Sequence, residues 1–571
     1  MSKKPETSNR ASWQHYVVLS VFVCVAGILM WRVAVLQLDQ GEFLRDQADS
    51  RHLRTLPIPA HRGMITDRNG EPLAMSAPME TVWADPSKLV EHPEDIATLA
   101  RALGLDVAGL REKTRSMRDR RFMYVQRQVT PDQAGQVKSL GLAGVYLKRE
   151  SRRFYPAGEV ASQLVGFTDI DGVGQEGLEL AFDDWLSGKP GAKLVIKDLH
   201  GGVVEDVEQV REAEPGKDLA LSIDRRLQYL AYRELKKAVR ENGAKSGSAV
   251  LLDVDTGEVL AMVNQPSFNP NNRADIRPGA TRNRAMTDSF EPGSTMKPFT
   301  IAAALESGDY APDTPVDTAP GWMTVGRYTI KDHRNYGTLD VTGVIRKSSN
   351  VGASRIALSM EPEQLWSVLS KVGLGSPTAV GFPGEAGGVL RHFSDWRKSE
   401  VASHSYGYGM SVTLVQLARA YAAIGNDGVQ VPVSLLKVED APAGQRVLSE
   451  DVARSLRVIM HEVVEPGGTG TRASLAGYRV AGKTGTVHKS QAGGYAEDRY
   501  IAVFAGLAPL ADPRFALVVM INEPAGENYS GGRVAAPVFS RVMEGTLRLM
   551  NVPPHRSPEL QVAMQGGEGH S

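Results

Sequence analysis

The stretch SAVLLDVDTGEVLAMVNQP, residues 248–266, has two apolar runs on either side of the turn Asp255-Thr256-Gly257. Apolar runs joined by a short glycine-containing turn predict a β-hairpin. Near the other end of the chain, three more apolar runs predict three more strands: YRVAGKTGTV, RYIAVFAGLAP and RFALVVMINEP, residues 478–487, 499–509 and 514–524. Helix-rich sequence separates the two groups of strands. The simplest assembly is one antiparallel sheet of about five strands covered by helices, an α+β fold.

The sequence around these strands predicts further elements and a domain boundary. Two helices and another strand are expected at LQYLAYRELKKAVREN (227–242), AAPVFSRVMEGTLRLM (535–550) and DLALSI (218–223). The composition changes near Pro215-Gly216, so we expect the sheet domain to occupy residues 216–550. Residues 39–215 mix short strands, polar helices and many charges without a catalytic constellation. The tail, residues 551–571, is rich in proline, glycine and polar residues and is predicted to be flexible.

The N-terminal segment is apolar enough to cross a membrane. Residues 16–38 form an apolar run interrupted by Arg32, and the run exceeds the roughly 20 residues that span a bilayer. No A-x-A-like cleavage site follows it, so an uncleaved anchor is favoured over a cleaved signal peptide. The charges of residues 1–15 are mostly basic, which predicts a cytoplasmic tail and an external location for everything after the anchor.

The composition excludes several classes of function. The 571 residues carry 65 Lys and Arg against 66 Asp and Glu, whereas a nucleic-acid-binding protein needs clustered basic surface. The single cysteine, Cys24, lies in the apolar run, and no HExxH pattern occurs, so we expect no metal and no cofactor. One basic run, RSMRDRRF (115–122), is interpreted as a solvated face, with a polyanion site as the alternative.

Three short motifs of the sheet domain could carry chemistry. They are Ser294-Thr-Met-Lys297, Ser348-Ser-Asn350 and Lys483-Thr-Gly-Thr486, in that order along the chain. Each motif is weak alone, since the S-x-x-K pattern recurs at Ser434-Leu-Leu-Lys437 and the S-x-N pattern at Ser267-Phe-Asn269. Their order and their settings distinguish the three motifs from these chance matches.

The first motif predicts an activated serine. Ser294 opens the helical run STMKPFTIAAALESG, and residues i and i+3 share a helix face, so Lys297 can reach its hydroxyl. A lysine removes a serine proton only when it is itself unprotonated, which requires burial or a second cation such as Lys483. Free N–H groups at the helix start would also stabilise an oxyanion. The alternative is that Ser294 is a helix N-cap and Lys297 a solvated lysine.

The other two motifs predict a proton relay and a peptide-binding edge. A hydroxyl at Ser348 can pass a proton to a leaving amine, and the Asn350 amide can hold a peptide bond. Gly485 lets a substrate backbone approach a strand, and the Thr484 and Thr486 hydroxyls suit a terminal carboxylate. The alternative for Ser348-Ser-Asn350 is helix capping. The alternative for Lys483 is an edge-strand lysine that prevents aggregation.

The chain resembles the class B penicillin-binding proteins, especially the FtsI type (penicillin-binding protein 3), the division-specific peptidoglycan transpeptidases. The resemblance covers nearly the whole chain after residue 15. The matching segments are Arg62-Gly-Met-Ile-Thr-Asp-Arg-Asn-Gly70, Arg153-Phe-Tyr-Pro156, Gly166 to Glu179, Phe290-Glu-Pro-Gly-Ser-Thr-Met-Lys-Pro298, Lys347 to Val351, Gly407-Tyr-Gly-Met-Ser-Val-Thr413, Gly482 to Thr486 and Asn522-Glu-Pro524. It implies a non-catalytic pedestal over residues 39–215 and a penicillin-binding/serine β-lactamase-like transpeptidase domain after it.

The resemblance also implies roles for single residues. Ser294 would be acylated by the penultimate D-alanine of a stem peptide, with Lys297 as general base. Ser348 would shuttle the proton, Asn350 would bind the donor peptide, and Lys483 would set the electrostatics.

Further implied roles concern substrate binding. The backbone N–H groups of Ser294 and Thr486 would form the oxyanion hole. Thr484 and Thr486 would receive the terminal carboxylate beside Gly485, and Tyr408 would contact the substrate. β-Lactams would acylate the same serine. Many FtsI-type relatives have arginine where this chain has His488. The resemblance therefore does not assign the contacts on the side of the substrate's terminal carboxylate.

The resemblance implies partners and a location as well. The donor would be a D-Ala-D-Ala stem peptide and the acceptor a meso-diaminopimelate side chain. An FtsW-type glycosyltransferase and other division proteins would bind the anchor and pedestal, with the catalytic domain in the periplasm as part of a single-pass inner-membrane protein. The chain could be the main septal enzyme or a second, condition-specific copy.

Other enzyme classes compete for the same residues. Gly477-Tyr-Arg-Val-Ala-Gly-Lys-Thr484 fits the G-x-x-x-x-G-K-T pattern of a nucleotide-binding loop, and Ala249 to Asp253 imitates a magnesium-binding strand. A continuing strand and an external compartment without nucleotide argue against an NTPase. A β-lactamase needs a deacylating carboxylate that we do not find. D,D-carboxypeptidases lack the Arg62 to Gly70 segment.

Overall fold

A computed structural model describes residues 10–38, 53–197, 203–274, 276–491 and 494–554. Its contacts divide the chain into two compact units. The smaller consists of Met1–His61, Glu80–Arg149 and Gly188–Pro215, and the larger of Arg62–Met79, Glu150–Ser187 and Gly216–Ser571. Two segments that precede residue 215 therefore pack with the larger unit, and the predicted pedestal boundary stays a prediction. Most of the predicted flexible tail, residues 555–571, lies outside the described residues, as do residues 1–9 of the predicted cytoplasmic tail.

The chain begins with one long apolar helix, α1 (Arg10–Leu38). Its segment Trp13–Leu36 has a mean hydropathy of 2.3, and none of the most apolar part of that segment is buried against protein. It is the one helix among the described residues that is long and apolar enough to cross a membrane. This helix suits a single-pass membrane anchor, as predicted for residues 16–38.

The smaller unit contains strands and helices around a modest core. Its regular elements include the strands Leu53–Ile58, Met123–Val129, Gly191–Lys197 and Val203–Arg211 and the helices Pro86–Leu89, Pro93–Leu103, Val107–Ser116 and Pro131–Ser139. The long strand Pro72–Ala84 pairs antiparallel with Met123–Val129 through Glu80 to Ala84. Val82, Leu99 and Met123 are almost fully buried between these strands and helices.

A five-stranded antiparallel sheet forms the centre of the larger unit, as predicted. Its strands are β1 (Ser246–Asp253), β2 (Val259–Gln265), β3 (Ala481–Gln491), β4 (Gly494–Ala508) and β5 (Phe515–Asn522). They lie in the order β2-β1-β5-β4-β3, which leaves β3 at an edge. The strand predicted at DLALSI is present but short, and it lies outside this sheet. Its strand is only Leu219–Ala220, and it pairs parallel with Ile65–Thr66.

Helices cover both faces of the sheet. They are α2 (Arg225–Glu241), α3 (Lys297–Ser307), α4 (Val341–Lys347), α5 (Asn350–Ser359), α6 (Leu414–Gly425) and α7 (Ala536–Leu549). Alternate residues of β1 enter two different cores: Leu251 packs with the cluster of α2 and α7, and Val250 with the cluster of α6. Because both faces are buried, the strands are continuously apolar rather than alternating.

Shorter elements complete the larger unit. They include the helices Arg284–Thr287, Pro362–Lys371, Lys398–His404, Glu450–His461 and Gly531–Val534, and the hairpin Trp322–Val325 with Tyr328–Lys331. Further paired strands are Pro315–Asp317 with Thr338–Asp340 and Phe167–Thr168 with Gly174–Glu176.

Three segments quoted for the family resemblance meet in one buried ion cluster. Glu179 is fully buried and lies between two arginines, with Arg62 Nε 2.8 Å from one carboxylate oxygen and Arg153 Nε 2.7 Å from the other. Arg62 also donates to Asp183 at 2.7 Å. The cluster therefore ties three distant stretches of sequence into the larger unit.

Removing the shared carboxylate should destabilise the protein. Glu179→Ala leaves two buried guanidinium groups without their shared partner, and we expect unfolding to become easier by about 3–5 kcal/mol. Glu71→Ala is the matched control, because its pairing with Arg225 is largely exposed and is worth less than about 1 kcal/mol. Urea unfolding followed by tryptophan fluorescence compares the two. Equal midpoints for both variants would contradict a structural role for the cluster.

Candidate active site

Ser294 lies on a tight turn that leads into helix α3. The turn is a 3₁₀ helix, Gly293–Met296, and Lys297 is the first residue of α3, so the predicted helical run starts in a tighter form. Gly293 has a φ of 57°, and a Cβ there would come within 2.3 Å of the Val487 side chain. Only glycine fits this position, which holds the serine turn against strand β3. The turn has no side-chain cap, so the N-cap alternative for Ser294 is wrong.

The amine of Lys297 is the centre of the hydrogen-bond network. Its Nζ lies 2.9 Å from Ser294 Oγ, 3.1 Å from Ser348 Oγ and 2.8 Å from Asn350 Oδ1. It also donates to the carbonyl oxygen of Ser348 at 2.7 Å. The lysine is fully buried, so the solvated-lysine alternative is wrong as well. The spacing between Lys297 and Ser294 permits direct proton transfer.

Ser348 lies between two lysines. Lys483 Nζ is 2.9 Å from Ser348 Oγ, and Lys297 Nζ is 3.1 Å from the same atom. Ser348 has a left-handed backbone, with φ 58°, between α4 and α5. Ser349, rather than Ser348 or Asn350, caps α5 by accepting from Gly352 N at 2.8 Å. Because Ser349 takes the capping role, the side chains of its two neighbours are free to face the lysines.

Asp332 fixes this loop and was missed by sequence reasoning. Its carboxylate accepts from Ser349 Oγ and Asn350 N at 2.5 Å, and from Val351 N at 3.1 Å. The carbonyl of Lys331 accepts from Asn350 Nδ2 at 3.1 Å, which turns the amide oxygen toward Lys297. A single aspartate in a polar turn, 18 residues before Asn350, gives no sequence signal of this role.

Burial lowers the affinity of both lysines for a proton. The pKa of Lys297 lies well below its usual range, first because of burial and second because of the positive charge of Lys483, although Asp332 opposes the shift. Burial lowers the pKa of Lys483 to about 7. A neutral amine beside Ser294 can therefore act as a base near neutral pH.

The third motif lies on an edge strand of the sheet. Lys483 to Thr486 belong to β3, whose neighbour in the sheet is β4 alone. A Cβ on Gly485 would lie 3.0 Å from the Thr295 side chain, so this position keeps the serine turn close to the strand. Thr484 Oγ1 lies 2.8 Å from Thr469 Oγ1, and Thr486 Oγ1 accepts from Gly531 N at 3.0 Å.

Tyr408 lies beside the same edge. Its hydroxyl accepts from His488 N at 3.4 Å, and its ring meets the Tyr495 ring edge-on at 5.4 Å. His488 N–H therefore points away from β4. Since the N–H groups of alternate residues on an edge strand share a direction, Thr486 N–H points outward too. The His488 ring lies elsewhere, with Nδ1 2.9 Å from Ala496 O and the ring packed on Tyr500.

Glu291 lies three residues before Ser294, in the matching segment Phe290 to Pro298, and the sequence predicted no separate role for it. One of its carboxylate oxygens accepts from Gly409 N at 2.8 Å and from the Tyr495 hydroxyl at 2.9 Å. Burial raises the pKa of this carboxyl. Glu291 thus joins the serine turn to the loop that carries Tyr408.

The nucleotide-binding interpretation is wrong. Lys483 lies inside strand β3, which continues to Gln491, whereas a phosphate-binding loop must open into a helix. Asp253 accepts from the N–H groups of Asp255 and Thr256 and so caps a hairpin turn. In the part of the chain that the structure describes, no three His, Cys, Asp or Glu side chains gather as metal ligands.

Comparisons with known proteins agree on a family. Residues 247–544 match the model of the penicillin binding protein transpeptidase domain, and residues 57–221 that of the penicillin-binding protein dimerisation domain. The chain is 44% identical over 557 residues to the peptidoglycan D,D-transpeptidase FtsI of Escherichia coli (strain K12), covering 97% of this chain and 94% of the relative. It is 43% identical over 548 residues to the probable peptidoglycan D,D-transpeptidase PbpC of Pseudomonas aeruginosa, covering 96% and 97%.

Solved structures are similar over the same regions. The transpeptidase domain of penicillin-binding protein 3 from Burkholderia pseudomallei is 46% identical, with a TM-score of 0.55 over 59% of this chain and 98% of that one. Penicillin binding protein 3 from Mycobacterium tuberculosis, complexed with aztreonam, is 30% identical, with a TM-score of 0.68 over 87% and 98%.

The charge of Lys483 should set the pH at which Ser294 becomes reactive. Removing it with Lys483→Ala takes a cation away from Lys297, which raises the pKa of Lys297. Deprotonation then requires a higher pH, so the acid limb of the rate of acylation by a fluorescent penicillin should move to higher pH. Lys489→Ala, on the same strand but paired with Glu523, should leave the limb in place. An unmoved limb in Lys483→Ala would refute this coupling.

Proposed function

The chain belongs to the FtsI-type class B penicillin-binding proteins, and we propose that an acyl intermediate on Ser294 carries its reaction. It is a serine-type peptidoglycan D,D-transpeptidase that cross-links stem peptides at the division septum and is a target of β-lactams. One observation carries the assignment of the serine: a buried lysine amine of lowered pKa lies 2.9 Å from its hydroxyl.

Acylation begins with the transfer of the Ser294 proton to neutral Lys297. The freed Oγ attacks the carbonyl carbon of the penultimate D-alanine, and the carbonyl electrons move to oxygen. The N–H groups of Ser294 and Thr486 stabilise this oxyanion. The outward direction of His488 N–H supports the role of Thr486, because the two N–H groups lie on the same edge.

Collapse of the tetrahedral intermediate releases the terminal D-alanine. The proton held by Lys297 passes through the Ser348 hydroxyl to the leaving nitrogen, and the C–N bond breaks as the acyl–Ser294 ester remains. The contacts of Ser348 Oγ with both lysines support this relay. An acceptor amine then attacks the ester, loses a proton through the same groups and regenerates the Ser294 hydroxyl, which completes the cross-link.

The donor peptide binds as an added strand along β3. The unpaired edge of β3 supplies backbone hydrogen bonds, and the Asn350 amide holds the peptide on the opposite side. The terminal carboxylate lies near the hydroxyls of Thr484 and Thr486, beside the positive charge of Lys483. Tyr408 contacts the substrate further along the edge, where its hydroxyl already meets the backbone of His488.

The anchor helix supports a location for the enzyme. Helix α1 holds the chain in the cytoplasmic membrane, and the mostly basic flank before it supports an orientation with the catalytic unit in the periplasm. There the acceptor is a meso-diaminopimelate side chain, and an FtsW-type glycosyltransferase and other division proteins bind the anchor and the pedestal, residues 39–215.

A fluorescent penicillin tests the acyl-serine site. Stable labelling of the wild-type enzyme is expected, with complete loss in Ser294→Ala. Lys297→Ala should slow labelling by roughly 10²–10⁴-fold, the range of general-base contributions. Ser434→Ala is the matched control, because Ser434-Leu-Leu-Lys437 has the same S-x-x-K pattern but is not partnered by the other two motifs. Labelling that persists in Ser294→Ala, or that decays within seconds in the wild type, would overturn the proposal.

Truncation tests the role of the anchor. A chain that begins near residue 53 keeps every residue of the catalytic network, so its rate of penicillin acylation should match that of the full chain. It should fail to support septation, because it can no longer bind its partners in the membrane. Complementation of a division-transpeptidase depletion strain is the measurement. Septation by the soluble form would count against the anchor-partner proposal.

A further inference from the structure

The smaller compact unit carries a strongly basic stretch that the transpeptidase reaction does not use. From Arg111 to Arg121, six residues are Lys or Arg and two are Asp or Glu. Arg115 and Arg118 are 70% and 67% exposed, and their nearest carboxylates are 3.9 Å away. Such long, exposed pairs contribute little, so these arginines keep most of their charge available to a partner.

Aromatic rings form a continuous surface in the same unit. Trp83 stacks on Tyr146 at 4.4 Å and contacts Phe122 at 5.2 Å, and Phe122 meets Tyr124 edge-on at 4.7 Å. Phe122, Tyr124 and Tyr146 are 43%, 36% and 39% exposed. The core of this unit is built from other residues, such as Val82, whose side chain points to the opposite face from its neighbour Trp83.

The basic stretch adjoins the ring-bearing strand at two points. Lys113 Nζ donates to the Tyr124 carbonyl at 2.8 Å, which joins the helix Val107–Ser116 to the ring-bearing strand. Arg121 directly precedes Phe122 and donates to Ser87 Oγ at 2.7 Å. We call this surface the basic-aromatic patch; it consists of Arg115, Arg118, Arg120, Arg121, Trp83, Phe122, Tyr124 and Tyr146. A merely solvated face accounts for the charges but leaves a contiguous exposed aromatic surface unexplained.

We propose that the basic-aromatic patch binds the uncross-linked peptidoglycan strand, at a site on a different compact unit from the catalytic cleft. The inference rests on the proposed function, which makes this polymer the substrate. An uncross-linked stem peptide carries more free carboxylates than amines, so a strand that repeats it is a polyanion and complements the arginines. The flat faces of the sugar rings match the exposed aromatic rings.

Binding at this patch would keep donor stems near the enzyme between turnovers. A tethered strand presents its next stem peptide at a high effective concentration, without any new contact in the cleft. Loss of the patch should therefore raise the KM for polymeric strands. The rate of acylation by penicillin, which needs only the cleft, should not change.

The test uses the full chain in detergent micelles, after acylation with penicillin to block the cleft. The probe is soluble, uncross-linked glycan strands that carry pentapeptides, with Kd measured by fluorescence anisotropy. Arg115→Glu/Arg118→Glu/Arg120→Glu should weaken binding by at least about 10-fold and reduce the salt dependence of Kd. Phe122→Ser/Tyr146→Ser should weaken binding and leave the salt dependence unchanged. Lys237→Glu/Arg472→Glu/Arg548→Glu makes the same charge change on the larger unit and should bind as the wild type does.

Several outcomes would overturn the proposal. One is equal strand affinity in the patch variants and the wild type. Another is equal affinity for strands whose stem peptides have been removed by an amidase, which would refute the role of the carboxylates. Binding of anionic phospholipid vesicles that depends on the patch, with strand binding unchanged, would assign the patch to a lipid surface. Normal penicillin labelling of each variant separates these outcomes from failure of the proposed function, and a wild-type far-UV circular dichroism spectrum and urea-unfolding profile show that the smaller unit of each variant is folded.

Discussion

The chemistry proposed for this enzyme depends on the burial of two lysines against a single serine hydroxyl. Lys297 and Lys483 both approach Ser348 Oγ, and both are fully buried. Two ammonium groups so close together and removed from water would be strongly destabilised, so at least one amine gives up its proton. In the proposed mechanism that neutral amine is Lys297, whose Nζ lies 2.9 Å from Ser294 Oγ and which activates the serine. Burial of the lysines is therefore the cause of the neutral amine that the proposed catalysis requires.

The surrounding fold holds the lysines in this unfavourable arrangement. Asp332 binds the loop between α4 and α5 with three hydrogen bonds, and its charge partly offsets the repulsion between the lysines. Gly293 permits the serine turn to touch strand β3, since any side chain there would collide with Val487. The continuous apolar strands anchor β3 to the sheet. A rigid sheet edge and a rigid turn are what keep Ser294 within reach of its base.

The cleft binds one stem peptide, and the patch proposed on the smaller unit binds the polymer that carries it. A cleft that recognises a short peptide end makes few contacts with the rest of a long strand, and a second surface can hold that strand without changing the chemistry. The exposed rings and arginines of residues 80–149 have the composition for this role. The buried cluster of Arg62, Arg153 and Glu179 instead acts within the larger unit, as a structural tie between distant segments.

Local periodicity and residue type were enough to predict the five-stranded antiparallel sheet, the apolar anchor helix and the residues of the three motifs. The sequence also predicts a strand at DLALSI but not its shortness or its pairing with Ile65–Thr66, since strand pairing is decided by distant partners. The roles of Asp332 and Glu291 could not be predicted from the sequence, because each residue acts through contacts with segments remote in sequence. Only the tertiary structure could lower the pKa of Lys297, since the removal of water from an amine is a property of packing and not of a motif.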